Sequence, residues 1–311
     1  LYLTTHPKNQ ENIMNPLQSA GLSLVVGILV LTLKYIAYIL TGSVALYSDA
    51  LESIVNVAAA AVAFVALWIA RQPMDHNHPF GHTKAEYFSA AFESILIVIA
   101  AMMIIYEAGI HLWAPVALQS VGWGVAVSLL ASLINAVLAA YLLHIAKQTL
   151  SPAIKADAVH ILSDVVTSTG VLIGVGLAWL TGWWLLDPLL ALLVAFNILW
   201  MGANLLRDSV GGLMDEGISE DELQPIQQII ADQMRGALQV HSLKTRRAGV
   251  ITFVEFHLVV PANMTVQHSH DICDRLEQAL RRHSSGMQIN IHVEPDSEVA
   301  PSSFITPTLD S

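Results

Sequence analysis

The stretch VALYSDALESIVNVAAAAVAFVALWIA, residues 44–70, decides the fold. It is apolar over more than the ~20 residues needed to cross a bilayer core. Yet its first half carries Asp49, Glu52 and Asn56 at spacings i, i+3 and i+7, which place all three on one helical face. A carboxylate inside a bilayer is costly unless it is paired or coordinates an ion. The stretch therefore reads as a transmembrane helix with a functional polar face.

Five further stretches have the same character: Leu17–Leu40, Tyr87–Trp113, Val121–Ala146, Ala153–Leu180 and Leu185–Leu206. The composition agrees. The 311 residues are 54% hydrophobic and 13% charged, against about 25% charged in an average soluble domain. With the N-terminus in the cytoplasm, Lys8, Arg71, Lys84, Lys147, Lys155 and Arg207 all fall on inner segments. The outer turns Thr41–Ser43, Ala114–Ser120 and Thr181–Trp184 hold no Lys or Arg. This positive-inside pattern predicts six spans with both termini cytoplasmic. Residues 1–14 read as a polar arm and 15–209 as the membrane domain. A net charge of −11 argues against nucleic acid and suits a protein that handles cations. A single cysteine, Cys273, excludes a disulfide framework.

From Gly211 the chain reads as soluble. Leu223–Met234 has helical apolar spacing, Val240–Arg246 and Val250–Val260 alternate as strands about an Arg247-Ala248-Gly249 turn, Val266–His283 is a helix with Ile272, Leu276 and Leu280 on one face, and Met287–Val293 is a last strand. The order αββαβ over residues 210–295 predicts a two-layer α+β domain. The Pro/Ser/Thr-rich stretch 296–311 predicts a disordered tail.

The fifth span repeats the pattern of the second. His160 and Asp164 in DAVHILSD, residues 157–164, lie i, i+4 on one face. If the two helices pack face to face, Glu52, Asn56, His160 and Asp164 offer N and O ligands to one divalent ion, with Asp49 as a further candidate. Four-coordinate N/O geometry suits Zn²⁺, with Fe²⁺, Mn²⁺ and Co²⁺ as alternatives. The competing reading is polar glue between helices, or a proton relay without metal. In the loop after the second span, Asp75, His78 and His82 have spacings compatible with Zn²⁺.

Gly42-Ser43-Val44-Ala45, the loop DHNHPFGHTKAE (residues 75–86) and His160-x-x-Ser163-Asp164 together resemble the cation diffusion facilitator family. The resemblance covers roughly residues 15–295. It implies six spans with a ferredoxin-like cytoplasmic domain, a homodimer in a bacterial inner membrane, and export of divalent metal driven by inward proton movement. It places the transport site at Glu52, Asn56, His160 and Asp164, where the family's well-known members carry Asp or His and then Asp on the second span. It implies a loop metal site at Asp75, His78 and His82. It implies a binuclear cytoplasmic site near the dimer contact built from His241, His257, His270, His292 and Glu294. It also implies a charge pair, Lys84 with Asp215, linking the two domains.

Two other classes compete with an exporter. A membrane metallohydrolase would use His and Asp around Zn²⁺ to activate water, but no His-Glu-x-x-His signature is present. A metal sensor needs no ligand pairs at mid-membrane depth. The expectation is a proton-coupled exporter of divalent transition metal, zinc first among them; Fe²⁺, Mn²⁺, Co²⁺, Ni²⁺ and Cd²⁺ are the alternatives.

Overall fold

The computed structural model describes residues 15–41, 44–113, 123–183, 185–284 and 286–299. The arm at 1–14, the outer-turn residues 42–43, 114–122 and 184, and the tail from 300 lie outside the described residues. The chain forms two compact units, residues 1–210 and 211–311.

The first unit holds six long helices: α1 (Pro16–Thr41), α2 (Val44–Ala70), α3 (Ala85–Trp113), α4 (Trp123–Thr149), α5 (Pro152–Thr181) and α6 (Leu186–Leu213), the last ending just inside the second unit. Among the described residues, α1, α2, α3, α4 and α6 each contain a stretch long and apolar enough to cross a membrane. The span assigned to α5, which carries Asp157, His160 and Asp164, rests on the sequence reading. Large apolar side chains face outward, with Phe88 66% and Trp200 67% exposed. Polar residues instead face inward: Ser19, Ser23, Lys34, Glu86, Glu93, Asn135, Asp157 and His160 are all buried. An apolar outside around a polar inside is the arrangement a lipid solvent favours. Burial of Lys34 at 7% exposure means that its ammonium does not snorkel out to an interface.

α1 packs along α2, α4 along α5, and α3 along α5. Gly202 of α6 lets that helix close on α3, because a Cβ there would stand 2.8 Å from Ile97 Cγ2. α6 extends beyond its expected end at Leu206, since Gly211 and Gly212 sit inside its last turn and do not stop it.

The second unit runs α7 (Glu220–Gln233), β1 (Gln239–Ala248), β2 (Ile251–Val260), α8 (Val266–His283) and β3 (Met287–Pro295). The sheet order is β1-β2-β3, with β1 antiparallel and β3 parallel to β2. α7 starts three residues before the expected Leu223. Glu220, Asp221 and Glu222 occupy its first turn, where negative charge complements the helix dipole. The β1–β2 turn is also tighter than expected. Pairing continues to Ala248↔Ile251, and Gly249 at φ +59 supplies the positive dihedral that a two-residue hairpin needs. Residues Asp296–Glu298, expected within a disordered tail, form one turn of 3₁₀ helix, and Asp296 accepts a 3.4 Å hydrogen bond from Ala262 N–H.

Period-two alternation sorts the sheet. Val254, Phe256 and Leu258 of β2 face Ile226 and Ile230 of α7 and Ile272, Leu276 and Leu280 of α8 in one core. Leu276 is fully buried. Leu276→Ala is expected to destabilise this unit by about 2–5 kcal/mol through lost transfer energy and the cavity left behind. Urea unfolding of residues 211–299 measures it, and a shift below ~1 kcal/mol would mean that this core is not the one that holds the unit together.

Candidate metal centres

Three groups of polar side chains stand out, one between α2 and α5, one in the loop before α3, and one on the sheet.

In the first, Asn56 of α2 meets His160 and Asp164 of α5. His160 Nε2 lies 2.9 Å from Asn56 Oδ1, and Asn56 Nδ2 donates to Asp164 Oδ2. The amide thus bridges imidazole and carboxylate. Because an amide oxygen only accepts, His160 carries a proton on Nε2 in this arrangement. His160 is 5% exposed, and Ser163 and Thr167 bond back to the α5 carbonyls on either side of the pair. Glu52 and Asp49 lie on α2, one and two turns before Asn56, with side chains outside those described.

In the loop, Asp75 Oδ1 accepts from the backbone N–H groups of Asn77 and His78 at 2.9 and 2.6 Å, which closes a tight turn. His78 Nδ1 stands 3.0 Å from Asp75 Oδ1, and His82 Nε2 is 3.5 Å from Asp75 Oδ2. One donor atom from each residue falls within 4.8 Å of the others, a spacing that one ion can bridge. The backbone N–H of His78, then its ring, then the N–H of Asn77 hold the Asp75 carboxyl below its usual range. Asp75 therefore stays anionic to lower pH than a free carboxylate does.

The third group follows from sheet register. His241, His257 and His292 are direct cross-strand neighbours on β1, β2 and β3. All point away from the helices, and Glu294, two residues beyond His292, shares that face. Glu294 Oε2 is 3.2 Å from His241 Nε2; its Oε1 is 2.9 Å from His257 Nδ1 and 3.7 Å from His292 Nε2. His241, His257 and Glu294 offer donors within 4.8 Å of one another. His292 borders them, its ring 5.0 Å from that of His257. His270 stands apart on α8, exposed, with Nε2 3.7 Å from Asp274. Asp215 receives a 3.0 Å hydrogen bond from Arg246 of its own unit.

Sequence reading missed three buried acids. Glu86, Glu93 and Asp157 are at most 2% exposed inside the first unit. Their signal was present as acids within apolar runs, but none had an obvious partner in sequence.

Residues 21–214 match the cation efflux transmembrane domain, and residues 218–296 match the cation efflux protein cytoplasmic domain. The chain belongs to the cation diffusion facilitator family. An uncharacterised transporter of Synechocystis sp. is 43% identical over 89% of both chains. The cation-efflux pump FieF of Klebsiella pneumoniae is 33% identical, covering 86% of this chain and 89% of the pump. A solved structure of CzrB in its zinc form is 47% identical and covers 28% of this chain and 98% of its own, with a TM-score of 0.27. The family is one of cation efflux transporters, so the chain is a transporter and not an enzyme.

Proposed function

We propose that this family member exports divalent transition metal, zinc first among them, from the cytoplasm of a bacterium across the inner membrane in exchange for protons. Both termini are then cytoplasmic, and the working form is a homodimer. The observation that carries the reading is the His160–Asn56–Asp164 constellation between two helices of the membrane unit. An imidazole nitrogen, an amide oxygen and a carboxylate converge there, with Glu52 one turn away on α2.

The donor set supports Zn²⁺, which accepts N and O ligands in tetrahedral geometry, with Fe²⁺, Mn²⁺, Co²⁺, Ni²⁺ and Cd²⁺ as competitors. Coupling follows from the same atoms. Metal at Nε2 needs His160 as a neutral imidazole with its proton on Nδ1, so protonation of the ring to imidazolium competes with metal, and a returning proton favours metal release. Alternating access would present the site first to one side and then to the other.

The loop site and the sheet site are proposed as regulatory metal sites. Metal held by His241, His257 and Glu294, with His292 and His270 completing the set, would brace the dimer and add binding energy to association. Full-length His257→Ala protein with the loop ligands also removed is expected to bind fewer equivalents of zinc than its His257 counterpart. Residues 212–295 alone are expected to dimerise more tightly with zinc than without. Equal zinc binding, or dimerisation indifferent to metal, would remove the sheet site from the proposal.

Metal competition in proteoliposomes tests the whole reading. Uptake against a pH gradient, with zinc the strongest competitor, supports it. Absence of uptake for every divalent metal in folded protein refutes it.

A further inference from the structure

Beside the sheet site, one strand departs from regular pairing. From His241 to Lys244 the chain advances three positions along β1, while β2 advances two, from His257 to Glu255. One extra residue is therefore taken up between His241 and Lys244 as a β-bulge. Ser242 lies in it with φ +53. Leu150 and Asp215, the other described non-glycine residues with positive φ, follow the ends of α4 and α6. Among the described residues, Ser242 is the one that holds this conformation inside a strand. A left-handed backbone is costly for any L-residue and persists only where its surroundings impose it.

The apolar core does not require that extra residue. Val240 and Leu243 pack into the core, while His241 stands opposite His257 and Lys244 opposite Glu255 on the other face of the sheet. With Ser242 present and no bulge, parity would turn Leu243 away from the core and Lys244 into it. With Ser242 deleted, Leu243 falls opposite Phe256 and Lys244 stays opposite Glu255. Alternation is then regular, and both faces keep their residues.

The metal ligands do have a use for the bend. β1 and β3 flank β2, and strands so placed lie roughly 9–10 Å apart. Glu294 pairs with Val259, which pairs with Gln239, two positions before His241. The 3.2 Å approach of His241 Nε2 to Glu294 Oε2 therefore runs diagonally over β2. A bulge bends its strand and adds right-handed twist at that point, which re-aims the neighbouring side chain. His241 immediately precedes this bulge and is buried. We propose that Ser242 is a positioning residue whose bulge turns His241 towards Glu294, so that His241, His257 and Glu294 are already gathered as one site before metal binds. The inference rests on the sheet-site reading given above.

The test uses full-length protein carrying Asp75→Ala and Asp164→Ala, which leaves the sheet site as the one intact group of the three, and zinc as the probe. Zinc affinity and the rise in Tm caused by zinc are read for this parent, for a variant with Ser242 deleted, and for S242G. The deletion is expected to lower zinc affinity about tenfold or more and to shrink the zinc-induced rise in Tm, with little change in the metal-free Tm. S242G keeps the positive φ at no steric cost and is expected to bind zinc within about twofold of the parent. Parent-like zinc affinity in the folded deletion variant would overturn the positioning role. Self-association of that variant at unchanged affinity would do the same, and would mark the bulge as a guard on the β1 edge. A loss in S242G as large as in the deletion would assign the effect to the Ser242 side chain and equally reject the proposal. If His257→Ala in the parent leaves zinc binding unchanged, the sheet site itself falls and this inference with it. Should the deletion variant fail to fold, S242V decides. A β-branched residue resists positive φ, so zinc binding about tenfold weaker than in S242G is expected, and equal binding by the two rejects the proposal.

Discussion

Asp164→Ala is expected to lower metal uptake by about 100-fold or more, because even partners of a metal's ligands are worth about 10–100-fold and this change deletes a proposed direct anionic ligand. It also removes the acceptor of the Asn56 Nδ2 hydrogen bond, so the amide loses the anchor that turns its oxygen towards His160. Little packing volume is lost, since Asp164 is only partly buried beside Thr167. The variant should therefore fold and elute from size exclusion like wild type. Uptake by proteoliposomes measures the effect. Transport at the wild-type rate from folded variant protein would remove Asp164, and with it the α2–α5 constellation, from the transport site.

The second large effect concerns Asn56, where the chain departs from the carboxylate carried by the family's well-known members. Asn56→Asp places an anion where the amide now bridges His160 and Asp164. With metal bound, the added charge attracts the ion in a site of low effective dielectric, and an affinity gain of about tenfold or more is expected. Without metal, two carboxylates face each other in place of an amide–carboxylate hydrogen bond. One of them then holds a proton that metal must displace, so affinity should vary more steeply with pH than in wild type. Turnover falls if release becomes limiting. Zinc titration at two pH values, with the loop and sheet ligands removed, reads both effects. Unchanged affinity and slope in a stable variant would take Asn56 off the ligand list, and lower stability without tighter binding would mark it as a helix-to-helix hydrogen-bonding residue.

Both experiments concern residues that were legible in the chain itself. Hydropathy over residues 16–213 located the membrane helices, because a bilayer imposes a length and an apolar surface that composition alone reveals. Spacing placed Asp49, Glu52 and Asn56 on one face of α2, and His160 with Asp164 on one face of α5, because helical periodicity is local. Apolar alternation likewise located the three strands and the α8 face carrying Ile272, Leu276 and Leu280. Helix ends were less legible. α7 and α6 were placed short, since acids in a first turn and glycines in a last turn read as loop when the dipole and packing that keep them helical are out of view.

Non-local pairings were a different matter. That Asn56 lies between His160 and Asp164 depends on the register of α2 against α5, set by packing between residues over a hundred positions apart. The row His241–His257–His292 exists only through the hydrogen-bond register of three strands, and that register leaves His270 outside the row on α8. Glu93 and Asp157 are acids in separate apolar runs whose burial needs α3 laid along α5. The sequence by itself determined which residues share a face, because that is a property of one helix or strand. Only the tertiary structure decided which faces meet, because burial and register are settled by all the elements that pack together.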